Sequence, residues 1–165
     1  MYKKNRKAVS PVIATVILVA VAITISVAVA YWMGGITSQY TKFEKVEVTN
    51  AIVEAAGTGS GMTWTISMSL KNTGTSAATI IDVYLNGQPL GVSTVDPPVP
   101  AAGEGGWYSD TPTIPSGSSA IFVLVIKNDV STGTGPFTSL SSGTTVNFKL
   151  HSAGGMDYLK LSELV

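Results

Sequence analysis

Two hydrophobic periods divide this chain of 165 residues. Residues 8–40 read AVSPVIATVILVAVAITISVAVAYWMGGITSQY, with no Asp, Glu, Lys, Arg or His among them. About 20 consecutive apolar residues span the ~30 Å hydrocarbon core of a bilayer, so this stretch is predicted to cross a membrane. Its Val and Ile residues are mediocre helix formers in water. In lipid the backbone must satisfy its own hydrogen bonds, and a single span does so only as a helix. Ser10-Pro11 marks the helix start, because a Ser side chain accepts from an orphan N–H and proline's missing donor costs nothing in the first turn. Val12, Ile13, Val16, Ile17, Leu18, Val21, Ile23, Ile25, Val27 and Val29 form its apolar body. Thr15, Thr24 and Ser26 are expected to bond back to carbonyls one turn earlier. Tyr31 and Trp32 fall where an aromatic belt meets the outer interface. Gly34-Gly35 reads as a helix end or a joint. The helix is expected to continue to about Tyr40, giving about 31 residues and ~46 Å, which overshoots the bilayer.

After Phe43 the helical period gives way to alternation. Met62, Trp64, Ile66, Met68 and Leu70 point one way while Thr63, Thr65, Ser67, Ser69 and Lys71 point the other, which predicts a strand with one buried face. Val46 and Val48 lead into an earlier strand, and Val146, Phe148 and Leu150 mark a later one. Residues 121–126 are apolar on both faces and are predicted to form a central strand covered on both sides. Asn86-Gly87 is a hairpin signal, and Asn72-Thr73-Gly74, Ser116-Gly117-Ser118 and Ser142-Gly143 are further turns. The density of Pro and Gly makes 96–118 a loop. Six to eight short strands suggest an immunoglobulin-like β-sandwich of about 120 residues. The fold class is therefore α+β, a long hydrophobic helix over 9–42 followed by an all-β sandwich over 43–165.

Charge adds an orientation. Lys3, Lys4, Arg6 and Lys7 are four of the ten basic residues, which leaves six against ten acidic ones, a net of −4 for the remainder. Four cations directly before an apolar run follow the positive-inside rule, so the N-terminus is expected in the cytoplasm and the sandwich outside. A mildly acidic body without a basic cluster offers no footprint for nucleic acid. A secretory signal has an apolar region of only about 7–15 residues, so retention of this longer one is expected. Ala28-Val29-Ala30 nevertheless matches an A-x-A site whose cleavage would release a protein starting at Tyr31. Cysteine is absent, which excludes disulfides and thiolate chemistry.

Candidate chemistry is sparse. His151 has no second His or Cys and reads as a solvent-facing strand residue. The carboxylates are scattered without calcium-loop spacing. Gly103-Glu104-Gly105-Gly106 lacks the Lys and the strand-turn-helix setting of a phosphate cradle, and no Gly-x-Ser-x-Gly occurs. No catalytic, cofactor-binding or metal site is expected, and no enzymatic activity. Trp107 and Tyr108 are the aromatic pair expected to be exposed, either as an adhesive or subunit-contact patch or packed down onto the sandwich. No Asn lies in a glycosylation sequon.

The N-terminus closely resembles the precursors of archaeal type IV pilins, through Lys7-Ala8-Val9-Ser10-Pro11-Val12-Ile13-Ala14-Thr15, the long aliphatic helix and Tyr31-Trp32-Met33-Gly34-Gly35. More loosely, 70–77 and 83–87 look like their β-domains. The resemblance implies that 1–8 is a class III signal peptide, cut by a prepilin peptidase between Ala8 and Val9 with Lys7 as the preceding basic residue. It further implies that an assembly platform with an ATPase moves the mature helix from the cytoplasmic membrane into the core of a helical homo-oligomeric filament. The apolar body named above would be that core, Tyr31, Trp32, Gly34 and Gly35 its interface or hinge, and the sandwich would be displayed for adhesion. Bacterial pilins place a Glu at the fifth mature position, whereas here it is Ile13. A buried Val9 ammonium is costly, so it is expected to meet carbonyls or water, or to be partly neutralised. The alternatives are a membrane-anchored sandwich that binds without polymerising, and an archaeal flagellin.

Overall fold

The computed structural model describes residues 10–58, 61–128 and 135–165. Two units meet in the chain between Lys42 and Phe43. Among the described residues the first holds the helix α1 (Pro11–Tyr40), and the second is built of strands.

The strands are β1 (Val46–Ala56), β2 (Thr63–Asn72), β3 (Ala78–Leu85), β4 (Gln88–Pro89), β5 (Gly91–Val92), β6 (Gly105–Tyr108), β7 (Thr113–Ile114), β8 (Ser119–Lys127), β9 (Thr145–Ser152) and β10 (Asp157–Glu163). One sheet runs β1-β2-β8-β6-β5 and the other β10-β9-β3-β4, with β7 paired to β3. Alternation dictates the layering. On β2 the inward set Trp64, Ile66, Met68 and Leu70 is wholly buried, and on β9 so are Val146, Phe148 and Leu150. With Phe122, Leu124 and Ile126 of β8 and Ile80, Val83 and Leu85 of β3 they form one core between the sheets. Each such side chain contributes ~1.5–3 kcal/mol by leaving water. Asn86 and Gly87 at φ 49° and 84° make the expected tight turn between β3 and β4. The Asn86 side-chain oxygen accepts from the Asn147 N–H at 2.9 Å, which ties that turn to β9.

Two expectations are corrected. The stretch 96–118 is not all loop, since it contains β6 and β7. Its glycines mislead because Gly105 and Gly106 serve packing: a Cβ on Gly105 would collide with Leu90, and one on Gly106 would lie 3.1 Å from Pro98. Strand β8 is central, between β2 and β6, but it is not covered on both sides. On its outer face Val125 is 5% exposed while Ile121 is 63% exposed. Pro98 lies against Gly106, the β6 partner of Val125, so the chain covers only that end of the face.

Trp64→Ala is expected to cost about 3–5 kcal/mol in urea unfolding of the full chain, through the cavity it leaves. Leu159→Ser, at a position 63% exposed, is expected to change stability by less than about 0.5 kcal/mol.

Candidate functional site: the apolar helix and the sandwich surface

Helix α1 begins at Ser10, but the Ser10 hydroxyl makes no cap bond. Its carbonyl instead accepts from the N–H groups of Ile13 and Ala14 at 3.0 and 3.1 Å. The Ile13 N–H is thereby satisfied without the hydroxyl, and Pro11 at the first helical position has no N–H to satisfy. The hydroxyls of Thr15, Thr24 and Ser26 donate to the carbonyls of Val12, Ala20 and Ala22 at 2.8, 2.8 and 2.7 Å. Over 11–30 the helix thus satisfies its own hydroxyl hydrogens and presents aliphatic surface all round. None of its side chains is buried. A helix that is apolar on every side belongs in lipid or inside an assembly.

Gly34 and Gly35 do not end the helix, which continues through them to Tyr40 and closes with the Thr41 N–H donating to the Thr37 carbonyl at 3.2 Å. Tyr31 and Trp32 project from the same stretch, 87% and 65% exposed. The missing side chain of Gly35 leaves an open notch of about 340 Å³ between Tyr31, Trp32, Ile36 and Gln39. One further pattern escaped the sequence reading: Ala22, Ser26, Ala30, Gly34 and Ser38 are small residues four apart. Spaced this way, small residues let helix backbones approach closely in apolar surroundings. Lys7, Ala8 and Val9, the expected processing site, lie outside the described residues.

On the sandwich, the expected Trp107–Tyr108 patch is split. Strand alternation turns Trp107 inward, 4% exposed, where it stacks on Phe122 with centroids 5.6 Å apart. Tyr108 faces outward, half-buried, and its hydroxyl donates to Asp110. That hydrogen bond pushes the Tyr108 pKa up. His151 lies opposite Asp157 across the β9–β10 ladder, with Nδ1 2.5 Å from the carboxylate. Lys149 stands 3.7 Å from Asp157 and 4.4 Å from the centre of the Tyr84 ring. The hydrogen bond to His151 is the main cause that holds the Asp157 carboxyl below its usual range; burial opposes it, and the charges of Lys149 and His151 lower it further. Among the described residues no group of three or more His, Cys, Asp or Glu is placed to hold a metal ion.

No protein-family model matches the chain, and no curated protein matches it. Among solved structures it is similar to the archaellum periplasmic stator protein FlaG from Sulfolobus acidocaldarius, at TM-score 0.45 and 18% identity over 73% of this chain and 100% of that one. It is similar to the FlaF and FlaG stator complex of the same organism, at TM-score 0.45 and 17% identity over 73% and 90%. It also resembles the Iho670 flagellar-like filament, at TM-score 0.34 and 12% identity over 94% and 98%. Superpositions this loose carry no functional argument.

Because the folded Asp157 carboxyl is depressed, the pair's contribution is present above the ordinary carboxylate range and is lost as pH falls through the lower folded value. An acid titration followed by NMR is expected to place Asp157 below 3.8. His151→Ala should move it upward, and an unchanged midpoint in that variant would contradict the assignment.

Proposed function

We propose that this chain is a structural, non-enzymatic subunit of an archaeal pilin-like filament. As a precursor it sits in the cytoplasmic membrane with its N-terminus inside. A prepilin peptidase removes 1–8, and an ATP-driven platform transfers the mature helix into the filament core. The sandwich then lies on the cell surface, available for adhesion.

One observation carries this reading: over the 30 residues of α1 no side chain is buried, and none is Asp, Glu, Lys, Arg or His. Every Val or Ile left in water would cost ~1.5–3 kcal/mol, so the helix needs either lipid or other copies of itself. Moving from lipid to a bundle gains little hydrophobic free energy, because lipid tails are as apolar as the helix. Association then depends on close packing, for which the small residues at 22, 26, 30, 34 and 38 are suited. At ~1.5 Å per residue α1 is ~45 Å long, about 15 Å more than the hydrocarbon core requires. The resemblance of 7–35 to pilin precursors supports polymerisation over a permanent anchor.

The intact mass of the protein from its native host is expected to correspond to a start at Val9. Ala8→Trp should accumulate uncut precursor and abolish filaments. A wild-type mass starting at Met1, or normal filaments from Ala8→Trp, would contradict the proposal.

A further inference from the structure

The turn between β2 and β3 spends its hydrogen bonds on a segment distant in sequence. It joins strands of different sheets, yet it grips 43–45, the lead-in to β1. The Phe43 carbonyl accepts from the N–H groups of Thr75 and Ser76 at 3.0 and 3.1 Å, and the Lys45 carbonyl from those of Thr73 and Gly74 at 2.8 and 3.2 Å. The Phe43 N–H donates to Thr75 Oγ1 at 3.1 Å. The approach is so close that a Cβ on Gly74 would lie 2.5 Å from the Phe43 oxygen and 2.6 Å from the Lys45 nitrogen, so only glycine fits.

The turn itself is braced from below. Asn72 is wholly buried. Its Nδ2 donates to the carbonyls of Ser76 and Ile114 at 2.7 and 2.8 Å, and its Oδ1 accepts from the Gly74 N–H at 2.9 Å. Ser116 Oγ donates to the Gly74 carbonyl at 2.6 Å. The other sheet also takes hold of the lead-in, because Ser152 Oγ at the end of β9 donates to Glu44 Oε2 at 2.9 Å.

We propose that the 72–76 turn and the Glu44–Ser152 contact form a mechanical clamp that keeps β1 from being peeled off the sandwich when the chain is pulled through residue 42. Strand β1 is an edge strand, held only by β2 in its sheet, and its first pair is Val46 with Asn72. Force arriving at Phe43 would open that ladder one pair at a time from Val46. The clamp lies ahead of the first pair and divides the force between both sheets, so peeling starts only after it yields. The role rests on the reading above only in that a helix fixed elsewhere makes residue 42 the point of pulling.

The chain has no cysteine, so Lys42→Cys and Gln88→Cys give unique handles for constant-force measurements on the full chain in detergent micelles. A control pair, Gln88→Cys and Ser142→Cys, pulls without passing through Phe43. Thr75→Val is expected to shorten the folded lifetime at fixed force roughly fivefold in the first geometry, the size of one lost hydrogen bond. Glu44→Ala should shorten it independently, and both variants should leave the control pair unchanged. Unchanged lifetimes in the first geometry, or equal shortening in both geometries, would overturn the clamp. Neither result depends on whether the chain polymerises, so failure of the filament reading would show separately, in the absence of filaments.

Discussion

The apolar stretch of α1 over 11–33, without a charge, has to be kept out of water, and that constraint decides what the helix can lie against. A helix with one polar face could lie on its own domain. This one has no such face, and its Ser and Thr hydroxyls are turned inward onto its own carbonyls. Its solvent has to be lipid or other helices. Lack of charge suits both, which lets one segment serve as anchor and then as assembly surface. The same lack of charge removes any ion pair that could fix axial register. Shape is left to do so, and the small side chains and the notch at Gly35 are where the cylinder departs from a uniform aliphatic surface.

The sandwich answers a different need. Without disulfides it depends on one core between two sheets, with the buried Asn72 bonded at both its amide nitrogen and its amide oxygen. Its ionic contacts are exposed and small in energetic effect, as exposed pairs generally are. Chain continuity makes residue 42 the place where anything that happens to the helix reaches the sandwich. The bonds from the 72–76 turn to 43–45 lie just beyond it.

Much of this was legible beforehand because it is periodic. The apolar run announces α1 by length and absence of charge, and β2 and β9 announce themselves by alternation over several residues. What was not legible depends on contacts between distant segments. Gly105 and Gly106 look like loop residues until Leu90 and Pro98 are seen to need their space. Trp107 looks exposed beside so many prolines, yet a single strand register separates it from Tyr108 and places it on Phe122. The Ser10 hydroxyl makes no cap bond although Ser10 immediately precedes the helix, which composition does not reveal. Asn72-Thr73-Gly74 was readable as a turn, but nothing local says that its N–H groups serve Phe43 and Lys45.

The central claim is that the helix ends its life in the core of a filament. A cryo-EM reconstruction of the fibres sheared from the native cell surface tests it most directly. The filament reading predicts α1 from successive copies bundled along the fibre axis, with every sandwich on the outside. Fibres lacking this chain, with the protein recovered as single copies in the membrane fraction, would contradict it.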